Sequence, residues 1–371
     1  MKTTFLIWAL IHSTLASAVI YDDTEIQALY SNHKNHQNSA SLISDYFTAK
    51  NPDRVIDELL LKANITPLQR EFHLYNLLTE ISQQPPQDFF QNFVNRMKHY
   101  PTIALRAAHE GHLPVAVFNL NSKAHGTENI WTTYRTEQHF NQLFENNLPQ
   151  ATKEISEILK QNIKLRQPQW LGIKDSIGAM CSQSLQRLAT FLLHSKDANG
   201  ALDSLISYVG FVADRSDLIE KALASELVKV REMTLRQILV HWPPSTAKSL
   251  LMTKAQTGKD RKFSTSLLSQ FSNDSRVERF LTEQLNDPVT AASAAFALSQ
   301  SNSMTLPTAL KQRFMTSDDS REKNHLLLAL KLNPTQAAEV ALEELTTQLE
   351  KDTAAAKWLQ TFEGKSAGGK P

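Results

Sequence analysis

Histidine is the residue type whose spacing in this chain best matches a chemical site. Five of the twelve histidines lie within 41 residues, namely His99, His109, His112, His125 and His139. Two imidazoles at short spacing, joined by a third ligand from elsewhere in the fold, can bind zinc. His109, His112 and His125 are the candidates for that set. The spacing therefore supports one hypothesis, in which residues 99–139 are the centre of a metal-dependent enzyme or a metal-binding module.

The residues around these histidines favour a simpler interpretation. The run from His109 to His112 reads HEGH, which lacks the H-E-x-x-H spacing of zinc proteases. Gly111 would also disturb the helix on which such a motif sits. Ordinary surface or core histidines are therefore the preferred interpretation. We predict no catalytic residue, no metal ligand and no cofactor for this chain.

Two further stretches resemble active-site motifs. Ser245 and Lys248 match the S-x-x-K pattern of penicillin-binding enzymes, but the S-D-N and K-T-G motifs are absent and no α/β pattern surrounds them. We expect Ser245 to cap a helix after two prolines. Residues 364–370 read GKSAGGK, which lacks the final Ser or Thr of a phosphate loop and a helix after it. We expect residues 364–371 to be a flexible tail.

Cys181 is the single cysteine of the chain, so no internal disulfide can form. It lies in the apolar-periodic run MCSQSLQRLATFLL. A thiol in such a run is usually a buried structural residue rather than a nucleophile. We therefore expect Cys181 to be buried, with an exposed thiol offering intermolecular pairing as the alternative.

Residues 1–18 have the three-part pattern of a secretory signal peptide. Lys2 supplies positive charge, residues 5–11 read FLIWALI, and small residues precede a cleavage site before Val19. The apolar run is shorter than the roughly 20 residues that a bilayer-spanning helix needs. We predict that the chain is exported, and that it is either periplasmic or secreted.

The composition favours a helical protein whose main partner is not a charged polymer. Without Lys2, the 39 basic residues become 38 and equal the 38 acidic residues. A chain with a net charge near zero is not expected to bind nucleic acid or an anionic membrane surface as its main partner. No later stretch is apolar enough to span a membrane. Glycine is scarce, with 10 residues in the chain, and a shortage of turn formers favours an all-α fold.

Apolar residues at helical spacing predict consecutive helices over residues 41–98. One of them opens with a capping box at Thr66 and has Pro67 in its first turn. The polar residues 19–39 precede these helices, and there we expect a poorly ordered start or a first short helix.

Residues 100–140 are the least regular part of the chain. There we expect a helix over 102–110, a short strand or a buried loop over 115–120, and a polar loop over 121–129. The stretch around Pro168 is the predicted boundary between an N-terminal helical region, 19–166, and a second helical region, 167–363.

The second region contains a sequence repeat. Its clearest unit is the alanine-rich stretch NDPVTAASAAFALSQ at 286–300, for which we expect a helix that is capped by Asp287 and starts at Pro288. Small side chains let neighbours approach on several sides, so this helix is predicted to be an inner one. Alignment with its neighbours places four leucines in equivalent positions, at intervals of 29, 30 and 32 residues: Leu239, Leu268, Leu298 and Leu330.

A period near 30 residues with two helices per unit is typical of a helical solenoid. The run DPVTAASAAFAL resembles the second helix of a bacterial HEAT repeat, whose pattern is roughly D-P-x-V-R-x-x-A-x-x-A-L, and Val230-Arg231 resembles its V-R step. The resemblance covers roughly residues 200–350. It implies an armadillo-type α-solenoid that binds partners, and it implies no catalytic residues.

These features combine into one predicted architecture and function. We expect an all-α chain of stacked helix pairs, HEAT-like in its second half, with a less regular segment near 100–140. Each unit would present equivalent helices side by side, which gives an extended surface suited to a peptide or a helix of another protein. The predicted function is therefore an exported, non-catalytic scaffold or adaptor that binds a protein partner through a helical-repeat surface.

Overall fold

A computed structural model of the chain describes residues 18–107, 112–195 and 200–348. Residues 1–17 of the predicted signal peptide, His109 and the predicted tail lie outside the described residues. Within the described residues, helices dominate and the strands are few and short, which confirms the all-α fold class. None of the described helices is both long and apolar enough to cross a membrane. The chain divides into two compact units after Cys181, and each unit is described by itself.

The described part of the first unit forms consecutive helices, and those over residues 41–98 confirm the prediction for that range. They are α1 (Asp23–Ser31), α2 (His33–Thr48), α3 (Pro52–Leu61), α4 (Pro67–Ser82), α5 (Asp88–Lys98), α6 (Leu120–Asn146), α7 (Leu148–Lys160) and α8 (Ile163–Gly178). The start of α4 confirms the predicted capping box. The Thr66 hydroxyl accepts the Gln69 N–H at 3.2 Å, and the Gln69 side chain accepts the Thr66 N–H at 3.0 Å.

Three short strands form a small sheet in the order β1 (Val19–Tyr21), β2 (Ala104–Arg106) and β3 (Val115–Ala116). β1 pairs with β2 in parallel, and β3 pairs with β2 in antiparallel orientation. The Val19 N–H donates to the Ile103 carbonyl at 2.8 Å. The first strand is therefore held by a segment that lies five helices further along the chain.

Glu71 of α4 anchors this sheet to the helices. Its side chain is fully buried, and its Oε1 accepts the N–H of Ile103 at 2.6 Å and the N–H of Ala104 at 3.2 Å. Its Oε2 is buried without a hydrogen-bond partner among the described residues. Burial raises the pKa of this carboxyl above its ordinary value, although the two backbone donors oppose part of the rise.

Two predictions for the irregular segment were wrong. Within the predicted helix over 102–110, Ala104–Arg106 forms the strand β2 instead, because β1 and Glu71 bind its backbone groups. The predicted polar loop over 121–129 lies inside α6, which runs unbroken from Leu120. That helix is stabilised by buried side chains at helical spacing, namely Leu120, Ala124, Thr127 and Trp131. The alternative of a short strand near 115 is confirmed by β3.

The segment that was predicted to be a boundary lies inside a helix. Pro168 belongs to α8, and its carbonyl accepts the Thr133 hydroxyl of α6 at 3.0 Å. The two helices cross closely at Gly172, where a Cβ would lie 2.8 Å from the Thr136 Cβ. Contact with α6 thus holds α8 together around its proline, and the compact units divide after Cys181 instead.

The described part of the second unit is also built of helices. They are α9 (Ser182–His194), α10 (Asp203–Val212), α11 (Ser216–Leu223), α12 (Val228–His241), α13 (Pro244–Thr257), α14 (Arg261–Leu267), α15 (Ser275–Gln284), α16 (Ala291–Ser299), α17 (Leu306–Thr316), α18 (Ser320–Leu332) and α19 (Gln336–Gln348). A short 3-10 turn, Leu268–Phe271, continues α14.

From α12 onward, alternate helices contact each other. The contacts run from α12 to α14, from α14 to α16 and from α16 to α18, while α13 contacts α15 and α17 contacts α19. Of the four aligned leucines, Leu268, Leu298 and Leu330 are at most 1% exposed and Leu239 is half-buried. All four belong to or pack against one apolar cluster.

The alanine-rich helix α16 has the inner position that its composition predicted. It contacts α14, α15 and α18, and its Ala291, Ala294, Ala295 and Ala297 are at most 2% exposed. The helix begins at Ala291 rather than at the predicted Pro288. Asp287 forms a turn instead, because its Oδ1 accepts the N–H of Val289 at 2.8 Å and that of Thr290 at 3.4 Å.

Candidate functional site

The candidate site is a surface on four helices of the second unit. Helices α12, α14, α16 and α18 each contact the next, so their solvent-facing sides adjoin. We call the solvent-facing side chains of these helices the four-helix face. On each helix, the residues six and two positions before the aligned leucine are not buried. These pairs are Met233 and Gln237, Lys262 and Ser266, Ala292 and Phe296, and Asn324 and Leu328. A separation of four residues places both positions on one side of each helix.

Large apolar side chains are exposed on this face. Met233 is 42% exposed and Val240 is 74% exposed on α12, and Phe296 is 48% exposed on α16. The opposite side of α16 is packed against neighbouring helices. The core of this unit therefore does not explain why a phenylalanine is found at position 296. Large apolar side chains that are exposed beside polar neighbours are typical of protein-binding surfaces.

One contact on the face joins two of its helices directly. The Arg236 guanidinium of α12 lies 5.1 Å from the centre of the Phe263 ring of α14. A cation over an aromatic ring is held by the electron-rich ring face. This contact orients both side chains and presents a cation beside apolar groups.

Two ion pairs join the helices of the face to neighbouring segments. Arg231 of α12 binds Asp260 through two hydrogen bonds, with Nε at 2.6 Å from Oδ2 and Nη2 at 2.9 Å from Oδ1. The same pattern follows one helix further, where Arg261 pairs with Asp287. The hydrogen bond to Asp260 raises the pKa of Arg231, which keeps the guanidinium charged. These pairs position α12, α14 and the turn before α16.

The sequence-predicted histidines do not form a described site. His112 precedes β3 and is exposed, His125 is exposed on α6, and His109 lies outside the described residues. His99 contacts the Asn95 carbonyl of its own helix at 3.0 Å. Over residues 18–107, 112–195 and 200–348, no group of three His, Cys, Asp or Glu side chains is arranged to hold a metal ion.

His139 instead lines a groove of about 460 Å³ in the first unit, between α6, α7 and α8. Its Nε2 lies 2.7 Å from Oε2 of Glu154, whose Oε1 accepts the Gln150 amide at 2.7 Å. These hydrogen bonds lower the pKa of Glu154. The pair joins α6 to α7, and both sides of the Glu154 carboxylate have protein donors.

The remaining candidates from the sequence have structural surroundings. Ser245 lies in the first turn of α13 and makes no cap hydrogen bond, because that helix starts one residue earlier at Pro244. Lys248 forms an ion pair with Asp274. Cys181 is exposed rather than buried, since it lies in the connection between α8 and α9 instead of inside an apolar helix.

No protein-family model, no curated protein and no solved structure matches the chain. The four-helix face is therefore identified by its own residues.

Proposed function

We propose that this protein is a non-catalytic scaffold or adaptor that binds a protein partner through the four-helix face. The observation that carries the proposal is the exposure of Met233, Val240 and Phe296 on α12 and α16, two helices of the face that both contact α14. Burying a large apolar side chain contributes about 1.5–3 kcal/mol, and a partner that covers this face would gain that free energy. Ion pairs join α12, α14 and the turn before α16, and a preorganised surface lowers the entropic cost of binding.

We further propose that residues 200–348 continue the HEAT-like repeat as an α-solenoid of stacked helix pairs. Three features support this proposal. Alternate helices contact each other, the aligned leucines share one apolar cluster, and successive Arg–Asp pairs join equivalent parts of neighbouring units. In a solenoid each unit contacts only its neighbours, and extended binding surfaces follow from that arrangement.

Export of the protein to the periplasm or the outside of the cell is part of the proposal and rests on residues 1–18.

The binding function is tested by in-cell photo-crosslinking. A photoreactive amino acid is placed at position 296 on the four-helix face or at position 340 on α19, where Val340 is 47% exposed. The crosslinked proteins are then identified by mass spectrometry.

We expect a specific, stoichiometric protein adduct from position 296 and none from position 340. An absence of protein adducts at both positions would refute the scaffold. Metal in the purified protein would then favour a metal site among the histidines of residues 99–139.

A further inference from the structure

The charges of the second unit are unevenly distributed between two sets of helices. Helices α12, α14, α16 and α18 contain eight basic residues and two acidic ones: Lys229, Arg231, Arg236, Arg261, Lys262, Arg321, Lys323 and Lys331, with Glu232 and Glu322. Helices α13, α15, α17 and α19 are balanced, with six basic and five acidic residues: Lys248, Lys254, Arg276, Arg279, Lys311 and Arg313, with Glu278, Glu283, Glu339, Glu343 and Glu344. The excess of positive charge therefore belongs to the helices that form the candidate site.

Ion pairs remove only part of this excess of positive charge. Arg231 and Arg261 are neutralised by Asp260 and Asp287, and the acidic Glu322 is paired with Arg313. The exposed charges that remain on the face are basic: Lys229, Arg236, Lys262 and Arg321 are all exposed. The only other acid of the four helices, Glu232, is half-buried.

We propose that the four-helix face binds an acidic segment of the partner protein that carries large apolar side chains. This inference rests on the function proposed above and specifies its partner. Carboxylates would pair with Lys229, Arg236 and Lys262, while aromatic or aliphatic side chains would cover Met233, Val240 and Phe296. Opposite charges raise the association rate, and the apolar anchors supply most of the affinity.

The mixture of charged and apolar groups favours a polypeptide over a nucleic acid. A phosphate backbone supplies negative charge but offers no apolar side chain for an exposed valine or methionine. An acidic peptide supplies both groups at the spacing of neighbouring side chains. Nucleic acid and anionic lipid are therefore the competing outcomes of the test.

The test selects peptides from a random display library on the purified protein that begins at Val19. The selected peptides are then measured by fluorescence anisotropy against matched variants. Val240→Asp changes the face and Val340→Asp changes an exposed valine of α19, so the substitution is identical and only the location differs. Lys262→Glu and Lys254→Glu form a second matched pair. Far-UV circular dichroism checks that every variant is folded.

We expect the selected sequences to be rich in Asp or Glu together with Phe, Trp or Leu. Their affinity should fall about tenfold or more in Val240→Asp and in Lys262→Glu, as for central interface residues, and should change little in the controls. The affinity should also fall as salt is raised, because salt screens exposed charges.

Several results would overturn the proposal. They are the selection of neutral or basic peptides, the absence of any enriched peptide, and tighter binding of a 20-nucleotide single-stranded DNA or of phosphatidylglycerol vesicles than of the peptides. A loss of binding in Val340→Asp alone would reject this face, while the scaffold function would stand. A failure of the scaffold function itself would appear in the in-cell crosslinking as the absence of any protein adduct.

Discussion

Arg231 shows how one side chain can organise several helices. Its guanidinium binds both oxygens of Asp260 and also donates from Nη1 to the Ser225 carbonyl at 2.7 Å. The Arg231 side chain is 6% exposed and that of Asp260 is 12% exposed. A pair with so little access to water is stable only while both partners are present, because either charge alone would be buried without compensation.

Removal of one partner should therefore lower the stability of the folded protein. We expect Arg231→Ala to lower the free energy of unfolding by about 3–5 kcal/mol, the usual effect of leaving one charge of a buried pair unpaired. The measurement is urea unfolding followed by circular dichroism.

The neighbouring residue Lys259 provides the control for that experiment. It pairs with Glu226, and these side chains are 54% and 88% exposed. Lys259→Ala should change stability little, since water screens this pair. Equal effects of the two substitutions would show that Arg231 is not a buried anchor.

The buried carboxyl of Glu71 predicts an unusual pH dependence. Because burial raises its pKa, the folded state holds its proton at a pH where the unfolded state has lost it. The contribution of Glu71 to stability is therefore present below the ordinary glutamate pKa and is lost as the pH rises through the raised value. The slope for one proton is at most about 1.4 kcal/mol per pH unit.

Glu71→Gln should remove this dependence, since an amide oxygen can still accept the N–H groups of Ile103 and Ala104. The test compares the free energies of unfolding of the two proteins between pH 4 and pH 8. The difference between them should shift in favour of the variant as the pH rises. Parallel curves would contradict the predicted cause.

At the scale of elements, the crossing of α6 and α8 depends on the absence of a side chain. A Cβ at Gly172 would come within 2.8 Å of the Thr136 Cβ and 3.0 Å of the Glu137 nitrogen. Real Cβ atoms do not approach other atoms so closely, so the helices would have to move apart. A Cβ at Gly126 of α6 would meet no atom within 4 Å apart from the backbone of its own helix.

The two glycines give opposite predictions for the same substitution. Gly172→Ala should destabilise the protein by about 1–3 kcal/mol through overpacking. Gly126→Ala should be neutral or stabilise it by up to about 1 kcal/mol, because alanine is the better helix former. Thermal unfolding of both variants decides the matter, and a stabilised Gly172→Ala would refute the close crossing.

Helices that start with local signals could be predicted from the sequence. The start of α4 depends only on nearby residues, namely Thr66, Pro67 and Gln69, and the structure has the predicted capping box there. The start of α16 was placed too early, because Asp287 can cap a helix or close a turn. Here it closes a turn while its carboxylate also binds Arg261. That choice depends on a residue of another helix, which local sequence does not show.

The errors in the irregular segment have the same physical origin. β2 was expected to be helical, yet it pairs with β1 and with a buried carboxyl from α4, and both are distant in sequence. The register of Leu239, Leu268, Leu298 and Leu330 could be read from the sequence. The sequence does not show which side of those helices faces solvent or that Phe296 is exposed there, because both depend on the packing of neighbouring helices.

At the scale of the whole molecule, the second unit has an apolar core of its own. Its main cluster of buried residues lies between Ile219 and Leu345, entirely after the division at Cys181. A unit with its own core is expected to fold alone. We predict that the fragment 182–371 has a helical circular dichroism spectrum and unfolds cooperatively in urea, whereas a spectrum of an unfolded chain would contradict this independence.

The predicted export can be tested on the full chain. When the protein is expressed with its own N-terminus in a bacterial host, the mature product should begin at Val19, as measured by intact mass and N-terminal sequencing. Ala16→Glu or Ala18→Glu should block processing, because signal peptidases require small residues there. A product that retains residues 1–18 in the unmodified chain would refute the signal peptide.

The pairing of β1 with β2 also has a consequence for the order of events during synthesis. Val19 faces Ala104, and the whole of α1 to α5 lies between them. Helices form from nearby residues and so can form early, whereas contacts between distant residues must wait for the intervening chain and form slowly. As the polypeptide emerges, Val19–Tyr21 must therefore stay unpaired until Ala104–Arg106 has been made. The residues of this strand are among the first to be synthesised, yet they reach their place in the fold only after the five helices between the two strands have been made.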